Sequence, residues 1–130
     1  MKVLALDVGE KRIGLAMSDE LGTIASPAGF VERRIATTKI EKMVRDENIE
    51  RIVIGVPYLA SGHLGSQASD VWKFAEELKE LVLTDIEYEN ELLTSFEAKE
   101  RLKGRKKKEK GDIDSMAATV ILEAYLKRRK

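Results

Sequence analysis

Apolar and polar positions follow two different periods along the chain, and the switches between them mark the elements. Residues 2–8 (Lys-Val-Leu-Ala-Leu-Asp-Val) are a short, nearly continuous apolar run of strand length. Residues 13–18 and about 23–32 give two more strands. Short turns at Gly9-Glu10-Lys11 and Asp19-Glu20-Leu21-Gly22 join the three as an antiparallel meander. Pro27 places the third at a sheet edge, because proline has no N–H to give a neighbouring strand. Helical spacing then sets in over 36–47, with Ile40, Met43 and Val44 on one face. Arg51-Ile52-Val53-Ile54-Gly55 is apolar enough for a central, parallel strand, which Val56-Pro57 ends.

After a loop containing Gly62 and Gly65, residues 67–82 show the clearest helix: Ala68, Val71, Trp72, Ala75, Leu78 and Val82 fall on one stripe. Trp72 and Phe74 read as packing residues. Residues 86–91 form a further strand, and a helix spans 94–103, with Thr94 and Glu97 spaced as a capping box. A basic loop bracketed by Gly104 and Gly111 leads into a last helix over 113–127, with Met116, Ala117, Val120, Ile121 and Ala124 as its apolar face. The order of elements predicts an α/β fold: a five-stranded mixed sheet, meander plus parallel strands, with helices on both faces. No repeat and no linker divides residues 1–130, so a single domain is expected.

Composition removes several kinds of chemistry. With no cysteine there is no disulfide, no thiolate zinc site and no catalytic thiol. The single histidine, His63, excludes multi-histidine metal sites; it reads as an exposed loop residue. Asp7 interrupts the first apolar run too early for a signal peptide, and no run is long enough to span a membrane. A cytoplasmic protein without a membrane partner is expected. The 23 basic and 23 acidic residues cancel, but they are segregated. Residues 76–91 hold seven acids against Lys79 alone, and residues 99–110 hold eight bases.

The candidate chemistry is carboxylate chemistry. Ligands of such a sheet bind where its parallel strands end. Asp7 ends the first strand, Glu91 the last, and Asp114 stands in the first turn of the final helix. Taken singly, each has a plain structural reading. Asp7 is a turn residue, Glu91 faces solvent, Asp112 caps the helix and Asp114 complements its dipole. Together they are three acids converging on one edge, where mutual repulsion calls for bound cations. Hard oxygen donors without histidine or cysteine favour Mg2+ or Mn2+.

Five segments in order carry a family resemblance: Asp7-Val8-Gly9 with Arg12-Ile13-Gly14; Gly55-Val56-Pro57; Ser61-Gly62; Glu91 to Ala98; and Lys110-Gly111-Asp112-Ile113-Asp114-Ser115-Met116-Ala117-Ala118. Over essentially its whole length the chain resembles the YqgF/RuvX family of Holliday junction resolvase-like proteins with an RNase H-like fold. That family is implicated in maturing the 5′ end of pre-16S rRNA, and some members are described as acting on branched DNA. The resemblance implies Asp7, Glu91 and Asp114 as the catalytic, metal-binding acids. It also implies that Gly55, Pro57 and the loop with Gly62 face the substrate. Three positions depart from the family pattern. Asn90 stands where an aspartate is common, Leu92 where an arginine is common, and Glu10 where a threonine is usual.

The expected activity is metal-dependent phosphodiester hydrolysis, two cations activating water and steadying the leaving oxygen. Lys11 and Arg12 would bind adjacent phosphates, and the basic loop, with Lys107, Lys108 and Lys110, the flanking backbone. The partners expected are nucleic acid (pre-rRNA or branched DNA) and ribosomal precursor particles, with the protein a monomer or a homodimer. Three alternatives stand beside this reading: a nucleotide-binding phosphotransferase, which needs a second such domain that 130 residues do not hold; a non-catalytic RNA-binding module; and a purely structural protein.

Overall fold

A computed structural model describes residues 1–57, 66–90, 94–103 and 110–129 of the chain. Five strands, β1 (Val3–Val8), β2 (Arg12–Ser18), β3 (Ala25–Glu32), β4 (Arg51–Val56) and β5 (Asp85–Asn90), form one sheet in the order β3-β2-β1-β4-β5. The first three run as an antiparallel meander, and β4 and β5 lie parallel to β1. The helices are α1 (Ala36–Asp46), α2 (Ser66–Lys79), α3 (Thr94–Arg101) and α4 (Lys110–Arg128). Pro27 lies on the edge strand β3, as its missing N–H requires.

Alternation along the strands divides the core in two. Leu4, Leu6 and Val8 face one way, into a core with Ile52, Ile54, Ile40 of α1 and Val71, Phe74 and Leu78 of α2. Val3 and Ala5 face the other way, against Ala118, Ile121, Leu122 and Tyr125 of α4. Trp72 packs tilted against Tyr88, with ring centroids 4.2 Å apart, which makes it a packing residue.

Three expectations near the last helix need correction. The segment ending at Gly111 was expected to be loop, with Asp112 as helix cap and Asp114 in the first turn. The helix instead begins at Lys110, so Asp112 is inside the first turn and Asp114 follows one turn in. Glycine at this helical position lets the first turn lie against β3: a Cβ there would lie 2.5 Å from the Phe30 ring. Ala124, expected on the apolar face, is exposed, whereas Ala118, Leu122 and Tyr125 are buried. The cause is that α4 is enclosed between the sheet and α3, so its buried surface wraps around much of the helix and a single stripe misplaces it.

The close docking of α4 rests on β2 and β3. Between Gly14 and Ala16 the β2–β3 register slips by one residue, and Gly29 takes a positive φ of 83°. The bulge is satisfied by α4. The buried Ser115 hydroxyl donates to the Leu15 carbonyl at 2.9 Å and accepts from the Gly29 N–H at 3.1 Å. One position along, the Asp114 backbone sits directly on Gly14, where a Cβ would fall 1.9 Å from the Asp114 carbonyl oxygen. That overlap is with backbone, which cannot rotate aside. Gly14→Ala is therefore expected to cost about 2 kcal/mol or more, read as a lower urea midpoint.

The β2–β3 turn is held by Asp19, whose carboxylate accepts from the Thr23 and Ile24 N–H groups and the Thr23 hydroxyl. These bonds, the Ile24 N–H first, lower its pKa from 3.8 to about 2. A carboxyl whose folded pKa lies below its unfolded value stabilises fully above the unfolded pKa and loses that contribution as pH falls through the folded one. Asp19→Ala is expected to lower Tm at neutral pH and to flatten the acid dependence of stability between pH 3.8 and about 2, measured by thermal melts across that range.

Candidate active site

Asp7 is the penultimate residue of β1, half-buried, at the end where β1, β4 and β5 all stop. Alternation with Val3 and Ala5 turns it toward the α4 face. Across the antiparallel pair it stands opposite Gly14. Continuing the β1–β4 register by one residue sets it beside Gly55, which is buried in β4 and pairs with Glu89. Asp7 is thus flanked on both neighbouring strands by glycines.

Helix α4 brings the second acid. Because the Asp114 backbone rests on Gly14, the residue opposite Asp7, the two aspartates come to the same face of the same strand end. They are 107 positions apart in the chain, and the docking of α4 on the sheet brings them together. Arg12, at the start of β2, donates from Nε to Asp114 Oδ2 at 2.7 Å. Both side chains are about one-quarter exposed, and a pair so placed adds little to stability. Its effect is orientation: one carboxylate oxygen is fixed and the charge between the two acids is partly balanced.

The turn between β1 and β2 is closed by the Gly9 N–H donating to the Arg12 carbonyl at 2.9 Å. Gly9 is needed for closeness, since a Cβ would lie 2.7 Å from that same carbonyl. The turn is also held from below by a residue that sequence reasoning missed. Arg33, in a short 3-10 segment after β3, donates to the Gly9 carbonyl at 2.9 Å and, as a fork, to both carboxylate oxygens of Asp70 at 3.0 Å. Its guanidinium lies 5.0 Å from the centre of the Phe74 ring, and its own N–H donates to the Lys11 carbonyl at 2.8 Å. The turn that carries Lys11 and Arg12 is therefore bolted to α2. The bond from Arg33 is also the chief cause that holds the Asp70 carboxyl below its ordinary pKa. The only sequence signal was an arginine just past a strand with an acid on the α2 surface, a pairing that spacing does not reveal.

The remaining candidates divide by what is described. Lys11 is exposed on the turn and makes no ion pair among the described residues. Pro57 follows directly on the end of β4. Lys110 begins α4, though its side chain lies outside the described residues, as do Glu91, Gly62, Lys107, Lys108 and His63. Leu92, at a departure from the family pattern, also lies outside them; Glu10 is exposed beside Lys11. Among the described residues no three acids gather closely enough to hold a metal ion. Nor, among them, is any helix long and apolar enough to cross a membrane.

A five-stranded mixed sheet with an aspartate at the end of its first strand and an acid brought to it by the closing helix is the architecture of the RNase H-like fold. Two solved structures share it over nearly the whole chain. Thermus thermophilus RuvC in complex with a Holliday junction substrate matches with a TM-score of 0.61 and 12% identity, covering 99% of this chain and 95% of that one. The fowlpox virus Holliday junction resolvase matches with a TM-score of 0.55 and 13% identity, covering 98% and 99%. At such identities the likeness is one of fold. Sequence carries the assignment further: residues 1–128 match the model of the family described as RuvX, Holliday junction resolvase, and the chain belongs to that family. Among its relatives, proteins named as candidate pre-16S rRNA nucleases in Gloeothece citriformis and Crocosphaera subtropica are 41% and 40% identical, over 98% and 100% of this chain and 88% and 95% of theirs.

Arg33→Gln is expected to release both the Gly9 carbonyl and Asp70. Discounted for partial exposure, the loss is about 1–2 kcal/mol, read in urea denaturation at neutral pH. Because the folded pKa of Asp70 lies below the ordinary value, the contribution of that pair is present above the unfolded carboxyl pKa and fades as pH falls. The stability gap between wild type and Arg33→Gln should therefore narrow in acid.

Proposed function

We propose that this RuvX-family protein is a nuclease that hydrolyses phosphodiester bonds with divalent cations held by Asp7, Glu91 and Asp114, and that its substrate is precursor 16S rRNA, cut at the 5′ end. The observation that carries the proposal is the meeting of Asp7 and Asp114 across Gly14, with Arg12 fixed to the second acid. The donor set fits Mg2+ or Mn2+: hard carboxylate oxygens, with Asp7 and Asp114 half-buried, in a chain that has no cysteine and a single histidine. Glu91 is the third ligand in this reading. It follows directly on Asn90, the last residue of β5, at the edge where β1 also ends.

Divalent cations bound there would activate the attacking water and stabilise the leaving oxygen. The chain's own groups prepare the site. Glycines stand beside Asp7 on both neighbouring strands, Gly14 opposite it and Gly55 next along the register of β4. Arg12 holds one oxygen of Asp114, leaving the other to face the substrate. Lys11, free of ion pairing among the described residues, binds the adjacent phosphate, and the bases of 105–110, which lie outside the described side chains, would take the flanking backbone. The names of the relatives support the choice of pre-16S rRNA. A second reading, branched DNA as substrate, is favoured by the description of the family as Holliday junction resolvases.

Asp7→Asn keeps the shape of the side chain and removes its charge. It is expected to lower Mn2+-dependent cleavage by roughly a hundredfold or more, since loss of a direct ligand exceeds the effect of an outer one, while Tm stays close to that of wild type. Cleavage of matched pre-16S rRNA and four-way junction DNA separates the two substrates. Undiminished cleavage by the Asn variant would remove Asp7 from the mechanism.

A further inference from the structure

The cross-strand row that contains Asp7 continues outward to an aromatic ring. Asp7 pairs with Gly14, and Gly14 pairs with Phe30 on the edge strand β3. Residues directly opposite in an antiparallel ladder share a face, so Phe30 lies on the α4 face, two strands or roughly 10 Å from Asp7. The first turn of α4 lies along this row, with Gly111 against the Phe30 ring and Asp114 on Gly14. Even so, Phe30 remains 48% exposed.

The ring borders a cleft of about 480 Å³ whose other described lining residues include Lys11, Arg12, Arg33 and Arg34. Three of these four cations are already paired, Arg12 with Asp114, Arg33 with Asp70 and Arg34 with Glu32; Lys11 is exposed and makes no ion pair among the described residues. The neighbouring cleft on the α2 side differs: its described lining holds three bases and three acids and no aromatic residue. A half-exposed ring beside an exposed lysine without an ion pair matches a polynucleotide strand with an unpaired base, whose flat face takes the ring and whose phosphate takes the charge.

The geometry points to Phe30 as a stacking platform for an unpaired base of the substrate strand, next to a phosphate held by Lys11. This site rests on the nuclease reading for its substrate class but not for its contacts. In it the ring stacks on the base, Lys11 takes the adjacent phosphate, and Gly111 supports the back of the ring. It implies a preference for single-stranded or unpaired nucleotides at the cut site.

The test measures binding by fluorescence anisotropy in the Asp7→Asn chain without divalent cation, so that cleavage plays no part. The probes are a short single-stranded RNA and its abasic counterpart. Phe30→Leu keeps an apolar side chain under Gly111 and removes the ring. It is expected to weaken binding of the base-bearing strand roughly five- to a hundredfold, leave the abasic strand unchanged and leave Tm near that of the parent; Phe30→Tyr should bind as the parent does. Equal binding by Phe30→Leu and its parent, or an equal loss on both strands, would overturn the platform. A second variant stands apart from the stability of the first: in a Trp72→Phe background, Phe30→Trp should be quenched by the base-bearing strand and not by the abasic one, and absence of quenching also overturns the proposal. Cleavage persisting in Asp7→Asn would defeat the metal-site reading and leave this result standing.

Discussion

The site depends on one steric fact: α4 can approach β2 closely because Gly14 has no side chain. At that contact the Asp114 backbone occupies the space a Cβ would need, and Ser115, the next residue, completes the bulge between β2 and β3. Backbone against backbone is a hard constraint, because neither partner has a rotamer to change. It fixes the register of α4 on the sheet to within one residue. Everything else on the helix inherits that register, from Gly111 on Phe30 at one end to Tyr125 beside Arg51 and Glu87 at the other.

Electrostatics acts within the frame that this contact sets. Two aspartates are brought to one strand end, an arrangement that mutual repulsion opposes. Arg12 relieves part of it through Asp114. Arg33 works one layer below, tying the β1–β2 turn to α2 through the Gly9 carbonyl and Asp70. The Arg12 pair adds little to stability, whereas the more enclosed Arg33 contributes to it as well as to position. Their common effect is to keep the turn, and with it Lys11 and Arg12, in one position relative to Asp7. The active edge is thus clamped from both faces of the sheet, by α4 above and α2 below.

Much of this was legible in the sequence. The five strands, their meander-then-parallel order and the edge position of Pro27 follow from hydrophobic period and turn residues. The core stripe of α2, Ala68 through Leu78, follows from helical spacing. The start of α4 did not. Gly111 read as loop punctuation, and only its contact with Phe30 explains a glycine within the first turn. The buried face of α4 was misjudged for a related reason, since a helix covered on two sides has no single apolar stripe. Arg33 and Asp70 escaped notice because an ion pair between separate elements leaves no periodic trace.

The sequence by itself determined the residue types: hard carboxylates without cysteine and with one histidine, a glycine after the strand-end aspartate, and a chain that belongs to the RuvX family. It also determined the order of elements, because local period and turn chemistry are short-range properties. The tertiary structure decided which acids meet. Asp7 and Asp114 come together through the docking of α4 on the meander, which the missing side chain of Gly14 permits, and Phe30 joins their row through the register of β2 with β3. Such contacts are set by packing between elements far apart in the chain, and no local pattern encodes them.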